Sequence, residues 1–202
     1  MKLDPFYPIV DTLDWIKRLA PCGIRLIQLR NKSLQGARLT REIAEAAAFC
    51  KAQAITLVVN DFWQEAIAAG APFVHLGQGD LDGADVKALQ KRGIRLGIST
   101  HDDAELDRAL SFAPDYVALG PIWPTLLKIM PFAPQGVAKL TTWKQKIGEI
   151  PLVAIGGITL ERAQGCFAAG ADSVALVNDV TGAADPEARA RSWVAATRGW
   201  VA

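Results

Sequence analysis

Residues 24–32 read Ile-Arg-Leu-Ile-Gln-Leu-Arg-Asn-Lys, an apolar run that turns into a polar cluster. The alternation sends Ile27 and Leu29 to one face and Gln28 and Arg30 to the other. A half-buried strand of an ordinary sheet puts its polar face in water. Here the same polar face ends in an amide and two cations, followed by a helical stretch in which Leu39, Ile43, Ala47 and Cys50 share one side. A strand that carries chemistry at its carboxyl end and then feeds a helix is the repeating unit of parallel α/β folds.

The unit recurs along the chain. Candidate strands are residues 6–10, 24–29, 55–59, 73–76, 94–98, 116–119, 152–155 and 173–177, each followed by a helix-like segment. Leu160, Ala163 and Phe167 mark the helical face after the seventh strand, and Thr100 with Asp103 has the spacing of a capping box before the fifth helix. Eight such units in 202 residues predict an α/β fold, a single-domain (β/α)8 TIM barrel over residues 1–202, in preference to an open doubly wound sheet. The longest irregular stretch, residues 120–134, follows the sixth strand, and loops of that length are often functional.

Composition narrows the function classes. Lys and Arg total 22 against 21 Asp and Glu, with no basic block to suggest nucleic acid. No apolar run approaches the roughly 18 residues that span a bilayer. The N-terminal stretch lacks the apolar core of a signal peptide, so a cytoplasmic protein is expected. Cys22, Cys50 and Cys166 are widely spaced and are expected as buried free thiols. Trp193 and Trp200 are expected in core or helix-face packing, with a contact between copies in a homo-oligomer as the alternative.

In a barrel, the carboxyl ends of the strands form the mouth where ligands bind. Alternation places Gln28, Arg30 and Ser99 inside, with Lys32 over the mouth, and it also sends Ala118, Gly120, Ala154 and Gly156 inward. An inward Arg is costly unless it meets an anion, either a barrel carboxylate or a ligand phosphate. Asn60 and Asp61 end the third strand and Asp80 lies just beyond the fourth. Two carboxylates at neighbouring strand ends suit a Mg2+ site, whereas an Asp in such a place also commonly caps a helix. His75 and His101 lack partners at zinc-ligand spacing, and His75 is expected to fill the interior through a hydrogen bond. Gly156 and Gly157 end the seventh strand, where phosphate-binding barrels expose backbone N–H groups, and Val177, Asn178 and Asp179 form the opposite wall.

These segments together resemble the thiamine phosphate synthase family. The resemblance rests on QLRNK at 28–32, ND at 60–61, HLGQGDL at 75–81, GIST followed by His101, DYVALGPIWPT at 115–125, Lys128, PQG at 134–136 and AIGGI at 154–158. It implies transfer of a hydroxymethylpyrimidine group from its diphosphate to a thiazole phosphate, with departure of the diphosphate before the new bond forms. It further implies that Asp61 and Asp80 hold Mg2+. Arg30, Lys32, Asn60, Ser99 and Lys128 would contact the diphosphate, with Arg30, Lys32, Ser99 and Lys128 acting in catalysis. Gln28 would lie on the pyrimidine side. Thr125, Gly156, Gly157, Val177 and Asn178 would take the thiazole phosphate. The partners so implied are these two small molecules, with neither nucleic acid nor membrane.

Three positions depart from the family pattern. Leu127 stands where a second Thr is usual, Asn178 where a Ser is common, and Phe62 where an Arg follows Asn-Asp. The first two fall on the thiazole-phosphate side. A related thiazole tautomerase has a His where this chain has Pro121, which disfavours that activity. A phosphate-binding regulator without turnover is the remaining alternative, and the retained Asp61, Asp80, Arg30, Lys32 and Lys128 argue against it.

Overall fold

The computed structural model describes residues 2–125 and 133–200. The chain alternates strand and helix from β1 (Phe6–Val10) and α1 (Leu13–Leu19) through β2 (Leu26–Leu29), α2 (Gly36–Ala52), β3 (Thr56–Asn60), α3 (Trp63–Ala69), β4 (Phe73–Leu76) and α4 (Val86–Lys91). It continues with β5 (Arg95–Thr100), α5 (Asp103–Leu110), β6 (Tyr116–Leu119), α6 (Val137–Ile147), β7 (Leu152–Ile155), α7 (Leu160–Ala168), β8 (Ser173–Leu176), the short α8 (Asn178–Thr181) and α9 (Pro186–Trp200). Adjacent strands pair in parallel in sequence order, and β8 pairs with β1 to close the barrel. Closure leaves no sheet edge.

The strand periodicity splits the apolar residues into two separate clusters. Ile27, Leu29, Leu57, Val59, Ile98, Leu119 and their counterparts pack outward against the helices. Tyr7, Ile9, Leu26, Val58, Phe73, Tyr116, Ala118, Val153 and Ala175 fill the interior, with Leu3 packed among them. The outer shell is the larger and carries most of the burial, at about 1.5–3 kcal/mol for each fully buried Val, Leu, Ile or Phe. The inner cluster is aromatic at its centre, where Phe73 and Tyr116 pack with ring centroids 5.6 Å apart.

Two expectations are corrected here. Ala154 packs outward with the helices, and Val153 and Ile155 face the interior. Counting back from Gly156 fails because that residue has φ +98°, which breaks the alternation at the strand end. The helix cap lies two residues further on. Thr100 is the last residue of β5, buried, and its hydroxyl donates to the Ala118 carbonyl (2.9 Å). Asp102 caps α5 by accepting from the Glu105 N–H (2.8 Å), and Glu105 reaches back to accept from the His101 N–H (2.8 Å).

The C-terminal helix ties back onto the first strand. Trp193 is buried and stacks on Phe6, with centroids 5.5 Å apart, and its indole N–H donates to Asp179 (2.6 Å). Trp200 packs beside Phe167. Cys22, Cys50 and Cys166 are buried free thiols. Among the described residues no helix is long and apolar enough to cross a membrane.

Candidate active site

The register between β1 and β2 delivers the first cation. The Arg30 N–H donates to the Val10 carbonyl (2.7 Å), which carries the side chain to the carboxyl-end rim of the barrel. Asn31 is buried and organises the turn that follows. Its side-chain oxygen accepts from the backbone N–H groups of Ser33 (2.9 Å) and Leu34 (2.8 Å), and this turn leaves Lys32 exposed. Neither Arg30 nor Lys32 forms an ion pair with a carboxylate among the described residues. An internal salt bridge therefore does not explain them.

Two carboxylates stand nearby. Asn60 is buried and pairs with His75 in the β3–β4 register. Asp61 then leaves the strand with φ +64°, its N–H donating to the His75 carbonyl (2.9 Å). Asp80 opens a 3-10 turn at Asp80–Asp82, where its side chain accepts from the Gly77 N–H (3.0 Å). The Asp61 carboxyl is pushed up to about 6 by burial and then by the charge of Asp80, with which it shares a hydrogen bond, and Lys32 and Arg30 partly offset this. Two carboxyl groups this close, the charge of Asp80 raising Asp61, are underprovided with positive charge. That donor set suits a hard divalent cation such as Mg2+, which takes a few carboxylate oxygens and completes its shell with water and phosphate. No cluster of three or more metal-binding side chains occurs among the described residues, so a cation here would draw the rest of its shell from ligand and solvent.

Below the rim runs a chain of polar contacts that the strand-end motifs do not reveal. Gln28 Nε2 donates to the Tyr7 hydroxyl (2.8 Å), which lies 3.0 Å from the Tyr116 hydroxyl. Tyr116 in turn contacts His75 Nδ1 (2.8 Å), and His75 Nε2 contacts the Ser99 hydroxyl (2.7 Å). Burial lowers the His75 pKa to about 4, with Arg30 adding to the effect, so the ring is neutral at ordinary pH. Gly97 makes the arrangement possible, because a β-carbon there would sit 2.0 Å from the Tyr116 ring. The parity that puts Ala118 inside also puts Tyr116 inside, so this signal was available in the sequence.

The opposite wall is built from the β6 and β7 loops. Ile122 and Trp123 donate their N–H groups to the carbonyls of Ile155 (2.9 Å) and Gly156 (3.1 Å). On the far side of the long loop, Gln135 and Gly136 donate back to Pro121 (2.7 Å) and Ile122 (3.0 Å). The two loops approach so closely that a β-carbon at Gly156 or Gly157 would lie 2.6 Å from Pro121 or Pro124. Packing alone thus requires both glycines, apart from any phosphate. Arg162 steadies this wall by donating to the Gly157 carbonyl (2.8 Å) with its guanidinium over the Trp123 ring (5.4 Å).

Thr125 is partly buried at the described end of this wall, whereas Leu127 and Lys128 lie outside the described residues. Val177 packs on the inner cluster, and Asn178 is exposed at the start of α8. Asp179 points away from a ligand role. It accepts from Arg189 Nε (2.9 Å) and from Trp193, which anchors α8 to α9. The structure therefore groups Gln28, Arg30, Lys32, Asn60, Asp61, Asp80 and Ser99 on one side of the mouth. Thr125, Gly156 and Gly157 lie on the other side.

Comparison with known proteins identifies the family of the chain. A family model described as thiamine monophosphate synthase matches residues 6–180. A thiamine-phosphate synthase of Rhizobium etli is 55% identical over 200 residues, covering 99% of this chain and 98% of the relative. One from Neisseria meningitidis serogroup B is 50% identical over 190 residues, covering 94% and 93%. Among solved structures, a thiamine phosphate pyrophosphorylase from Pyrococcus furiosus superposes with a TM-score of 0.84 at 23% identity, covering 98% of both chains. A 3-hexulose-6-phosphate synthase gives a TM-score of 0.67 at 20% identity, over 97% of this chain and 99% of the other. At those identities the structures speak to the fold.

Proposed function

The chain belongs to the thiamine monophosphate synthase family, and from that premise we propose how its barrel mouth performs the transfer. The enzyme joins hydroxymethylpyrimidine diphosphate to thiazole phosphate and releases diphosphate. The observation that carries the site assignment is the meeting of two cations that form no ion pair among the described residues, Arg30 and Lys32, with the neighbouring carboxyl groups of Asp61 and Asp80 at one rim. A leaving diphosphate needs both. The cations stabilise the negative charge that grows on the departing oxygens, Arg30 by a bidentate fork and Lys32 as a point charge. Mg2+ held by Asp61 and Asp80 would supply Lewis-acid stabilisation of the same phosphates.

The remaining residues hold and orient. Asn60 and the Ser99 hydroxyl line the diphosphate side, and Gln28 borders the pyrimidine. Lys128, by its place in the family motif, adds a third cation from the long loop. Gly156, Gly157 and Thr125 receive the thiazole phosphate, with Val177 and Asn178 closing that side. Positioning the two substrates converts a bimolecular step into an effectively unimolecular one. Buried free thiols fit a reducing cytoplasm as the place of work. The test is direct. Purified protein with Mg2+ and the two phosphorylated halves forms thiamine phosphate; no product under conditions where a known synthase turns over refutes the reading.

A further inference from the structure

The contacts Gln28–Tyr7–Tyr116–His75–Ser99 form an unbranched chain, and proton counting gives it a direction. Each tyrosine hydroxyl has one proton, a neutral imidazole has one and a serine hydroxyl has one. Gln28 Nε2 can only donate to the Tyr7 oxygen. The Tyr7 proton then goes to the Tyr116 oxygen, since no other acceptor is in the chain. The Tyr116 proton must go to His75 Nδ1. That leaves the ring proton on Nε2, from which it is donated to the Ser99 oxygen. The Ser99 proton has no place on His75 and is left for the mouth.

The opposite direction fails at its far end. If Ser99 donated to His75, Nδ1–H would donate to Tyr116 and Tyr116 to Tyr7. The Tyr7 hydroxyl, only 1% exposed, would then hold a proton facing another donor. An unmade hydrogen bond in such a place disfavours that state by roughly tenfold or more.

We propose that Tyr116 and His75 are positioning residues that lock the Ser99 hydroxyl as a donor toward an oxyanion of the bound diphosphate. A phosphate oxygen can only accept, so a hydroxyl with its proton fixed outward is complementary before the ligand arrives. Gly97 is part of the device, since it alone leaves room for the Tyr116 ring. This rests on the assignment of Ser99 to the diphosphate side, but the chain's direction can be read in the protein without substrate.

The experiment is 15N-histidine NMR, in which long-range proton–nitrogen couplings show which ring nitrogen is protonated. Only His75 and His101 contribute, so a His101→Gln variant assigns them. The expected wild-type result is protonation of His75 at Nε2. Tyr7→Phe keeps that tautomer, because Tyr116 still donates to Nδ1, whereas Tyr116→Phe mixes the two. In kinetics, Tyr116→Phe raises KM for the pyrimidine diphosphate about 2- to 10-fold, the factor expected when the binding-competent state falls to between half and a tenth. It leaves KM for thiazole phosphate unchanged. Protonation at Nδ1 in the wild type, or loss of the Nε2 tautomer in Tyr7→Phe, overturns the proposal even if Tyr116→Phe does not fold. Correct tautomers with no turnover would instead count against the synthase reading.

Discussion

Replacing Asp61 by Asn separates the cost of the acidic pair from its use. Ala is the poorer probe, because Asp61 has φ +64° and a non-glycine residue with a plain β-carbon is strained there by about 1 kcal/mol. Asn tolerates that conformation and keeps the shape. The folded state holds Asp61 near 6 against 3.8 for the free group, first through burial and then through Asp80. Folding therefore favours the protonated acid. This stabilisation is full below about 3.8 and lost as pH rises through about 6. The difference corresponds to at most about 3 kcal/mol at pH 7, and partial exposure screens it to about 1 kcal/mol. Without metal, Asp61→Asn should therefore melt about 2–4 °C above wild type at pH 7 and level with it at pH 4. With Mg2+ the order changes, because binding to the ionised pair raises the wild-type Tm and leaves the variant unmoved. Turnover should fall by about 100-fold or more, the equivalent of losing roughly 3 kcal/mol of charge stabilisation. The assay is thermal melting at both pH values with and without Mg2+, alongside steady-state kinetics. A variant that melts below wild type at pH 7 without metal, or that keeps wild-type turnover and Mg2+ dependence, refutes the reasoning.

Arg30→Ala should lower kcat/KM for the pyrimidine diphosphate by about 10- to 150-fold, as for a lost charged hydrogen bond, with Tm nearly unchanged; a collapse in Tm with normal catalysis would make Arg30 a packing residue. Leu127→Thr should lower KM for thiazole phosphate and Asn178→Ala should raise it, with KM for the diphosphate substrate constant in both; a change confined to the diphosphate substrate would place these residues elsewhere. Gly97→Ala should destabilise by about 1–3 kcal/mol or more, since its methyl would meet the Tyr116 ring at 2.0 Å. Chemical denaturation checks this, and wild-type stability would show that the ring can move aside.

Much of the architecture is legible in the chain because parallel strands buried on both faces are short β-branched runs. The bounds of β1, β4, β6 and β7 fall where the apolar runs begin and end. The others shift by a residue or two, as at β2, where Ile24 and Arg25 precede the first paired residue. Alternation places Gln28, Ser99 and Ala118 correctly but misplaces Ala154, because a positive-φ glycine follows it. The candidate site is legible where polar residues end strands. It is not legible where the decisive feature is a contact between distant residues. Nothing local in Tyr7 announces that its hydroxyl meets Tyr116, 109 residues away. Nothing local in Gly156 and Gly157 separates a phosphate cradle from a seat for Pro121 and Pro124.

That seat has a consequence for how such enzymes diversify. Pro121–Trp123 and Gln135–Gly136 are fastened to the barrel wall and to each other by backbone hydrogen bonds that do not depend on side-chain identity. Neither anchor draws on a side chain of the loop it bounds. Exchanging the residues between these two fastenings for a relative's would keep the backbone hydrogen bonds at both ends and leave the strand-end residues Arg30, Lys32, Asp61, Asp80 and Ser99 in place.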